Sequence, residues 1–227
     1  MPRSTKGPRA RGQGASTAEI VEAIEDDIIV GRLMPRERLI EEELMARFGV
    51  SRHIVRQVLG ELERMNIVDH IPNRGAMVRS YSGEEVLQLF ELRDVLEAHA
   101  VALMKLPPTP EEVASLNVIL NRYDVAARND DLVSVYRENM AFHRTMFSLS
   151  GNKFLTEAIM DSATRTHAVR HQWLSQPVYL ERASIQHRAM VAALMSGDRE
   201  ELIKMCHDHI APSREMYIRL AAAKRSS

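Results

Sequence analysis

The sequence predicts a mainly α protein in two parts: three helices closed by a β-hairpin, then an all-helical bundle. Three observations carry this reading. Apolar residues recur every three to four positions from near Thr17 almost to the end, the period of a helix with one face on a core. One short stretch breaks the rhythm: "NIVDHIPNRGAMVRS", 66–80, sets β-branched runs on either side of the turn formers Pro72, Asn73 and Gly75. After Ser80 the helical segments are separated only by brief stops, "LPPTP", "RNDD", "SGN", "SQP" and "SGD".

Taken in order, "STAEIVEAIEDDIIVGR" is capped by Ser16 or Thr17 and ends near Gly31. "IEEELMARFG" is stopped by Gly49, and "SRHIVRQVLGELERM" is capped by Ser51. The turn between these two helices is "FGVS". A three- or four-residue turn with glycine is what a helix-turn-helix requires, and the hairpin behind it completes a winged helix-turn-helix over 16–80. The second part, 81–227, reads as helices at about 83–106, 110–128, 131–150, 152–174, 178–196 and 198–222. Residues 1–15, "MPRSTKGPRARGQGA", read as a disordered basic arm.

Composition bounds the function. A chain of 227 residues with 45% hydrophobic content can bury a sizeable core. With 30 Lys and Arg against 31 Asp and Glu, bulk charge does not draw it to nucleic acid, so such binding needs a local patch. The single cysteine, Cys206, leaves no intramolecular disulfide and fits a reducing, cytoplasmic setting. No apolar run approaches the roughly 18–20 residues that span a bilayer, so no membrane partner is expected.

The third helix supplies the local patch. At about 100° per residue, Ile54, Val55, Val58, Leu59, Leu62 and Met65 form one stripe, and Arg52, His53, Arg56, Gly60 and Arg64 share the opposite face. From Arg47 to Arg79 six arginines face three acids, Glu61, Glu63 and Asp69. Arg52 and Arg56 sit near the helix N-terminus, where a helix in the major groove needs long cationic donors for phosphates or guanine edges. Gly60 costs roughly 1 kcal/mol against alanine within a helix, intelligible where a nucleic-acid backbone passes close. Ser51, His53 and the hairpin tip, Arg74 and Gly75, complete the candidate DNA contacts. The alternative is a solvated charged face.

The string "GRLMPRERLIEEELMARFGVSRHIVRQVLGELERMNIVDHIPNRGAMV" resembles the winged-helix domain of GntR-type transcription regulators over nearly its whole length. The second part resembles the all-helical, FCD-type domain of the FadR branch, and six helices place it nearer the VanR-like subgroup. The resemblance implies that Arg36, Arg47, Arg52 and Arg56 contact operator DNA and that Gly75 approaches the minor groove. The chain departs from the family pattern at His53 and Ile54, where Thr-Pro is usual. It departs again at Arg36, where glycine is frequent, and at Gly60, where arginine is frequent.

In the second part, helical spacing turns a set of polar residues inward. Leu132, Tyr136, Asn139, His143 and Met146 share one stripe; Leu180, Ser184, His187, Val191 and Leu194 a second; Leu202, Cys206, His209, Ser213, Met216 and Leu220 a third, with His207 on the far side. Three neutral imidazoles and an amide converging from three helices make a workable site for a divalent transition metal, zinc first, with nickel, manganese and iron as alternatives. Each histidine taken singly reads better as a satisfied core residue. The resemblance adds that metal-binding relatives place an aspartate four residues before a histidine; Asn139 stands there, a neutral and weaker donor.

Arg93 lies on the stripe Val86, Leu89, Arg93, Leu96, Ala100, Leu103, where a guanidinium needs an anionic partner. Glu97, one turn along, is one candidate; a carboxylate effector held by the arginine fork is the other. Arg165, on the stripe Leu155, Ala158, Ser162, Arg165, Val169, is a second effector candidate. The resulting reading is a ligand-responsive regulator, a repressor by the commoner family pattern. It would bind a palindromic operator as a homodimer and sense a small organic acid beside the metal. Two rivals are weighed. A metal-dependent hydrolase needs an inward general base beside the ligands, and the stripes supply none. A purely structural dimerisation domain would leave the histidines without a sensory role.

Overall fold

The computed structural model describes residues 15–174 and 177–223, with the side chains of 166–174, 216, 217 and 219–223 left out. All but residue 15 of the expected basic arm therefore lies outside the described residues, and the side chains of Val169, Met216 and Leu220 on the stripes are among those left out.

Helix α1 (Thr17–Ile29) opens with a capping box: the Ser16 hydroxyl accepts from the Glu19 backbone N–H, and the Glu19 carboxylate accepts from the Ser16 backbone N–H at 2.8 Å. Ser16, not Thr17, is the cap. Strand β1 (Arg38–Leu39) precedes α2 (Glu41–Phe48), which Gly49 ends in the left-handed conformation, φ +66°. Helix α3 (Arg52–Arg64) follows. Ser51 has the extended backbone of an N-cap, yet its side chain makes no capping bond. The wing is β2 (Val68–Ile71) and β3 (Gly75–Val78), antiparallel. The expected hairpin gains a third strand, since β1 pairs with the far edge of β3, giving the order β1-β3-β2. Ile20, Ile24, Val58 and Leu62 are essentially sealed in the core that these elements share.

Among the described residues six helices follow: α4 (Gly83–Leu103), α5 (Pro110–Arg128), α6 (Leu132–Ser148), α7 (Lys153–Leu174), α8 (Pro177–Ser196) and α9 (Arg199–Ala223). Capping boxes Ser82–Glu85 and Thr109–Glu112 start α4 and α5. Helix α4 stops three residues short of the expected 106, its chain turning extended at Met104 ahead of the two prolines. A second core joins Leu116, Phe142, Met146, Met190, Leu194 and Leu202 from α5, α6, α8 and α9.

The two parts meet along α1. Arg137 of α6 reaches Glu22 at 2.7 Å and Asp26 at 2.8 Å. Beside that pair lies a small crevice lined by Glu25, Ile28, Tyr81, Tyr136 and Arg165. Burial there, reinforced by Asp26 and Glu22 and opposed by Arg137, pushes the Glu25 carboxyl up to about 6 from its usual 4.5. The folded value lies above the unfolded one, so the associated stability is complete below pH 4.5 and is lost as pH rises through 6. Glu25→Gln is accordingly expected to raise stability by roughly 1–2 kcal/mol above pH 6.5 and to flatten the curve between pH 4.5 and 6. Parallel wild-type and Gln slopes in thermal melts across that range would refute this.

Candidate metal and nucleic-acid sites

The exposed face of α3 carries Arg52, His53 and Arg56, and the buried face Val55, Val58, Leu59 and Leu62, with Ile54 and Met65 half-buried against the core. The first turn of α2 is acidic, which suits a helix N-terminus, and it also holds the reading arginines. Arg52 meets Glu42 at 2.6 Å and Glu41 at 3.4 Å, and Arg56 meets Glu41 at 3.0 Å. Exposed pairs of this kind are worth about 0–1 kcal/mol, so an incoming phosphate can displace them. Ser51, Arg74 and Gly75 are exposed, the glycine with φ +78° at the hairpin tip. A Cβ on Gly60 would meet nothing within 4 Å, so packing within the protein gives no reason for that glycine.

Three other arginines of the patch are differently placed. Arg47 rests on the buried carboxylate of Asp27, which also takes Arg32 at 2.7 Å, and stands 4.7 Å over the Phe48 ring. Arg64 pairs with Glu61, and Arg79 joins Asp69 and Asn66 at the base of the hairpin. Arg36 adopts φ +72° and donates from Nε to the Ser80 hydroxyl at 3.0 Å. A left-handed backbone favours glycine, which gives a conformational reason for the glycine that the resemblance expects there.

In the helical part, α6 places His143, α8 His187 and α9 His209 at one buried point. One ligating nitrogen from each ring lies within 4.8 Å of the other two, and the Nε2 atoms of His187 and His209 are 3.3 Å apart. Zinc–imidazole bonds of about 2.0–2.1 Å in a tetrahedral shell put neighbouring nitrogens about 3.3 Å apart, so this pair already has the spacing of two ligands. The Gln186 amide oxygen lies 3.0 Å from His209 Nδ1 and accepts its hydrogen, which leaves the Nε2 lone pair facing inward. Phe142 packs 4.4 Å from the His187 ring and Tyr123 approaches its edge. Asn139, one turn before His143, is buried and lines a cavity of about 50 Å³ together with His209, Tyr123, Tyr179, Arg182 and Ser213. The residues fit a divalent metal with donors from imidazole and one amide. No carboxylate joins the cluster among the described residues.

The two effector candidates fall elsewhere. Arg93 is buried against Glu97, its Nε and an η nitrogen donating to the same carboxylate oxygen at 3.0 and 2.8 Å. Arg165 pairs with Asp161 at 2.7 Å and faces the crevice against α1, not the histidine cavity. Periodicity placed both residues inward; Arg93 is buried and Arg165 only partly so, and spacing could not tell what either would meet. Gln186 and Arg182 escaped sequence reasoning altogether. Gln186 sits about 100° around α8 from the His187 stripe, and Arg182 is an exposed arginine on a helix that carries a second, Arg188.

Two families match the chain: "Bacterial regulatory proteins, gntR family" over residues 16–78 and "FCD domain" over 88–212. The chain is similar to the HTH-type transcriptional repressor GlaR of Escherichia coli (strain K12), 25% identical over 198 residues, covering 82% of this chain and 89% of the relative. It is also similar to the Nta operon transcriptional regulator of Aminobacter aminovorans, 27% identical over 170 residues, covering 74% and 77%. Among solved structures, E. coli McbR/YncC shares the fold with TM-score 0.71 at 23% identity, over 94% of this chain and all of the other. A GntR regulator from Rhodococcus sp. RHA1 gives TM-score 0.74 at 23% identity, over 89% and 97%. With the helix-turn-helix and the helical domain each matched, the chain belongs to the GntR family of bacterial regulatory proteins, a DNA-binding transcription regulator with an FCD effector domain.

Proposed function

We propose that the protein is a cytoplasmic repressor that holds a palindromic operator as a homodimer and releases it when a small organic acid binds beside a divalent metal in the helical domain. The observation that carries this reading is the buried convergence of His143, His187 and His209 within 4.8 Å. Asn139, His143, His187 and His209 would hold the ion, which would supply positive charge and open positions for a carboxylate oxygen. Leu92, Val95 and Leu103 lie exposed along one side of α4, an apolar strip suited to a second copy. Two recognition helices in successive major grooves would stand about 34 Å apart.

The metal site and the reading head are joined through α6. That helix carries Asn139 and His143 on its buried side and Arg137, bound to Glu22 and Asp26 of α1, on its exposed side. A shift of α6 at the cavity therefore bears directly on α1 and on the spacing of the two readers. Ligand lowers operator affinity only to the extent that it prefers the poorly spaced arrangement.

Metal analysis of protein purified without tag or added metal tests the site. The expected result is about one ion per chain, lost in His143→Ala. A wild-type chain that takes up neither zinc, nickel nor manganese would sink the reading. For the connection through α6, operators are selected from a random duplex pool and their affinity compared with and without zinc. Arg137→Ala is expected to bring that ratio, about 5–150-fold for a typical allosteric coupling, close to one. An unchanged ratio would mean that the signal takes another route.

A further inference from the structure

The cavity beside the histidines is lined at its inner side by Asn139 and His209 and elsewhere by Tyr123, Leu180, Ala183 and Ser213. It also has one cationic side chain in its wall among the described residues, that of Arg182 on α8. Three other arginines of the helical part hold carboxylates: Arg93 has Glu97, Arg165 has Asp161, and Arg188, on the same helix as Arg182, has Asp124. Arg182 makes no ion pair with any described residue. The stretches whose side chains are not described, 1–14, 166–176 and 216–227 apart from Ile218, contain no Asp or Glu that could supply one.

Resting on the effector-site reading above, we infer that Arg182 is the residue that binds the effector's carboxylate, and that the effector is a short acid with an oxygen donor at each end. One end meets the guanidinium at the cavity mouth; the other reaches the histidine and Asn139 side. A guanidinium fork suits a carboxylate in bidentate geometry, and at a mouth it selects anions without having to be buried unpaired. Size follows from the space. An open-mouthed pocket of about 50 Å³ suits a short acid. The largely apolar wall of Leu180, Ala183 and the Tyr123 ring suits a short carbon backbone between the two polar ends. Neither Arg93 nor Arg165 lines this space, so the role first expected of them falls to Arg182.

The test is isothermal titration of the full chain, zinc-loaded and zinc-stripped, with glycolate, lactate, malonate and succinate, and with succinamide as the uncharged control. The proteins are wild type, Arg182→Ala and Arg182→Lys, and zinc affinity is measured for each. At least one acid is expected to bind the wild type, with about ten-fold or greater weakening in Arg182→Ala, partial recovery in Arg182→Lys and unchanged zinc affinity. Succinamide is expected not to bind. Equal binding of the acids to wild type and Arg182→Ala, or no binding of any acid to the zinc-loaded wild type, overturns the assignment while leaving the metal site standing. Acid binding that needs Arg182 in a chain that takes up no zinc would uphold the assignment and remove the metal. Because Arg182 is exposed, its replacement is not expected to disturb the fold, and matching melting midpoints check this.

Discussion

Glu97→Ala is expected to destabilise the protein by about 3–5 kcal/mol, the cost of leaving one member of a buried ion pair without the other. Arg93 and Glu97 are each only 2% exposed, on successive turns of α4, where the helix packs on α9 near Cys206 and Ile210. A guanidinium cannot relieve the loss by giving up its proton, so it must draw in water or force α4 away from its neighbours. Replacing both residues together, Arg93→Met with Glu97→Leu, is expected to recover most of the loss, because an apolar pair of similar volume has no charge to strand. A loss below about 1 kcal/mol for Glu97→Ala in urea unfolding would mean that the pair is not sequestered from water. The pair also bears on function. An effector carboxylate that took the edge of Arg93 now held by Glu97 would have to displace that carboxylate inside the protein, a costlier exchange than meeting Arg182 at a cavity mouth. Cys206 lies under the same influence: burial first and the Glu97 charge second hold its thiol well above the ordinary range, so it serves as core and not as a thiolate ligand.

Much of the architecture was legible because the chain marks its own boundaries. Ser16–Glu19, Ser82–Glu85 and Thr109–Glu112 are capping boxes in sequence and in structure, and Gly49 ends α2 where a left-handed residue is needed. Strand β1 was not legible. Two residues cannot show a period, and Arg38–Leu39 become a strand only because the wing offers them an edge. On α4 the expected stripe was too narrow. Leu103, expected inward, is 45% exposed, whereas Phe90 and Glu97, off that stripe, are buried, because α7 and α9 both pack on the helix and widen its buried arc. The histidines could be read because the phases of three helices agreed. Arg165 could not be placed, because the crevice it faces is lined in part by α1 from the other half of the chain, and periodicity gives a direction without a neighbour.

The other large effect is expected at the reading head. Arg52→Ala and Arg56→Ala together are expected to weaken binding to a mixed-sequence 30-base-pair duplex by about 100-fold near 0.1 M salt, as two charge-assisted contacts of roughly 1.5 kcal/mol each are lost. The slope of log affinity against log salt should become shallower by about 0.9 for each residue, since each phosphate neutralised releases its counterions. Stability should move by no more than about 0.5 kcal/mol, because both side chains are exposed and their pairs with Glu41 and Glu42 lie in water. These acids make a sharper control. Glu41→Gln removes the ion-pair partner of Arg56 and leaves Arg52 with Glu42 alone, so it should tighten binding where the arginine variants weaken it. Arg47→Ala separates the roles further. Its guanidinium rests on buried Asp27, so its loss should register in the melting midpoint as well as in DNA affinity. A salt slope unchanged in the double variant would mean that α3 does not carry the phosphate contacts, and the wing, with Arg74 at its tip, would then have to supply them.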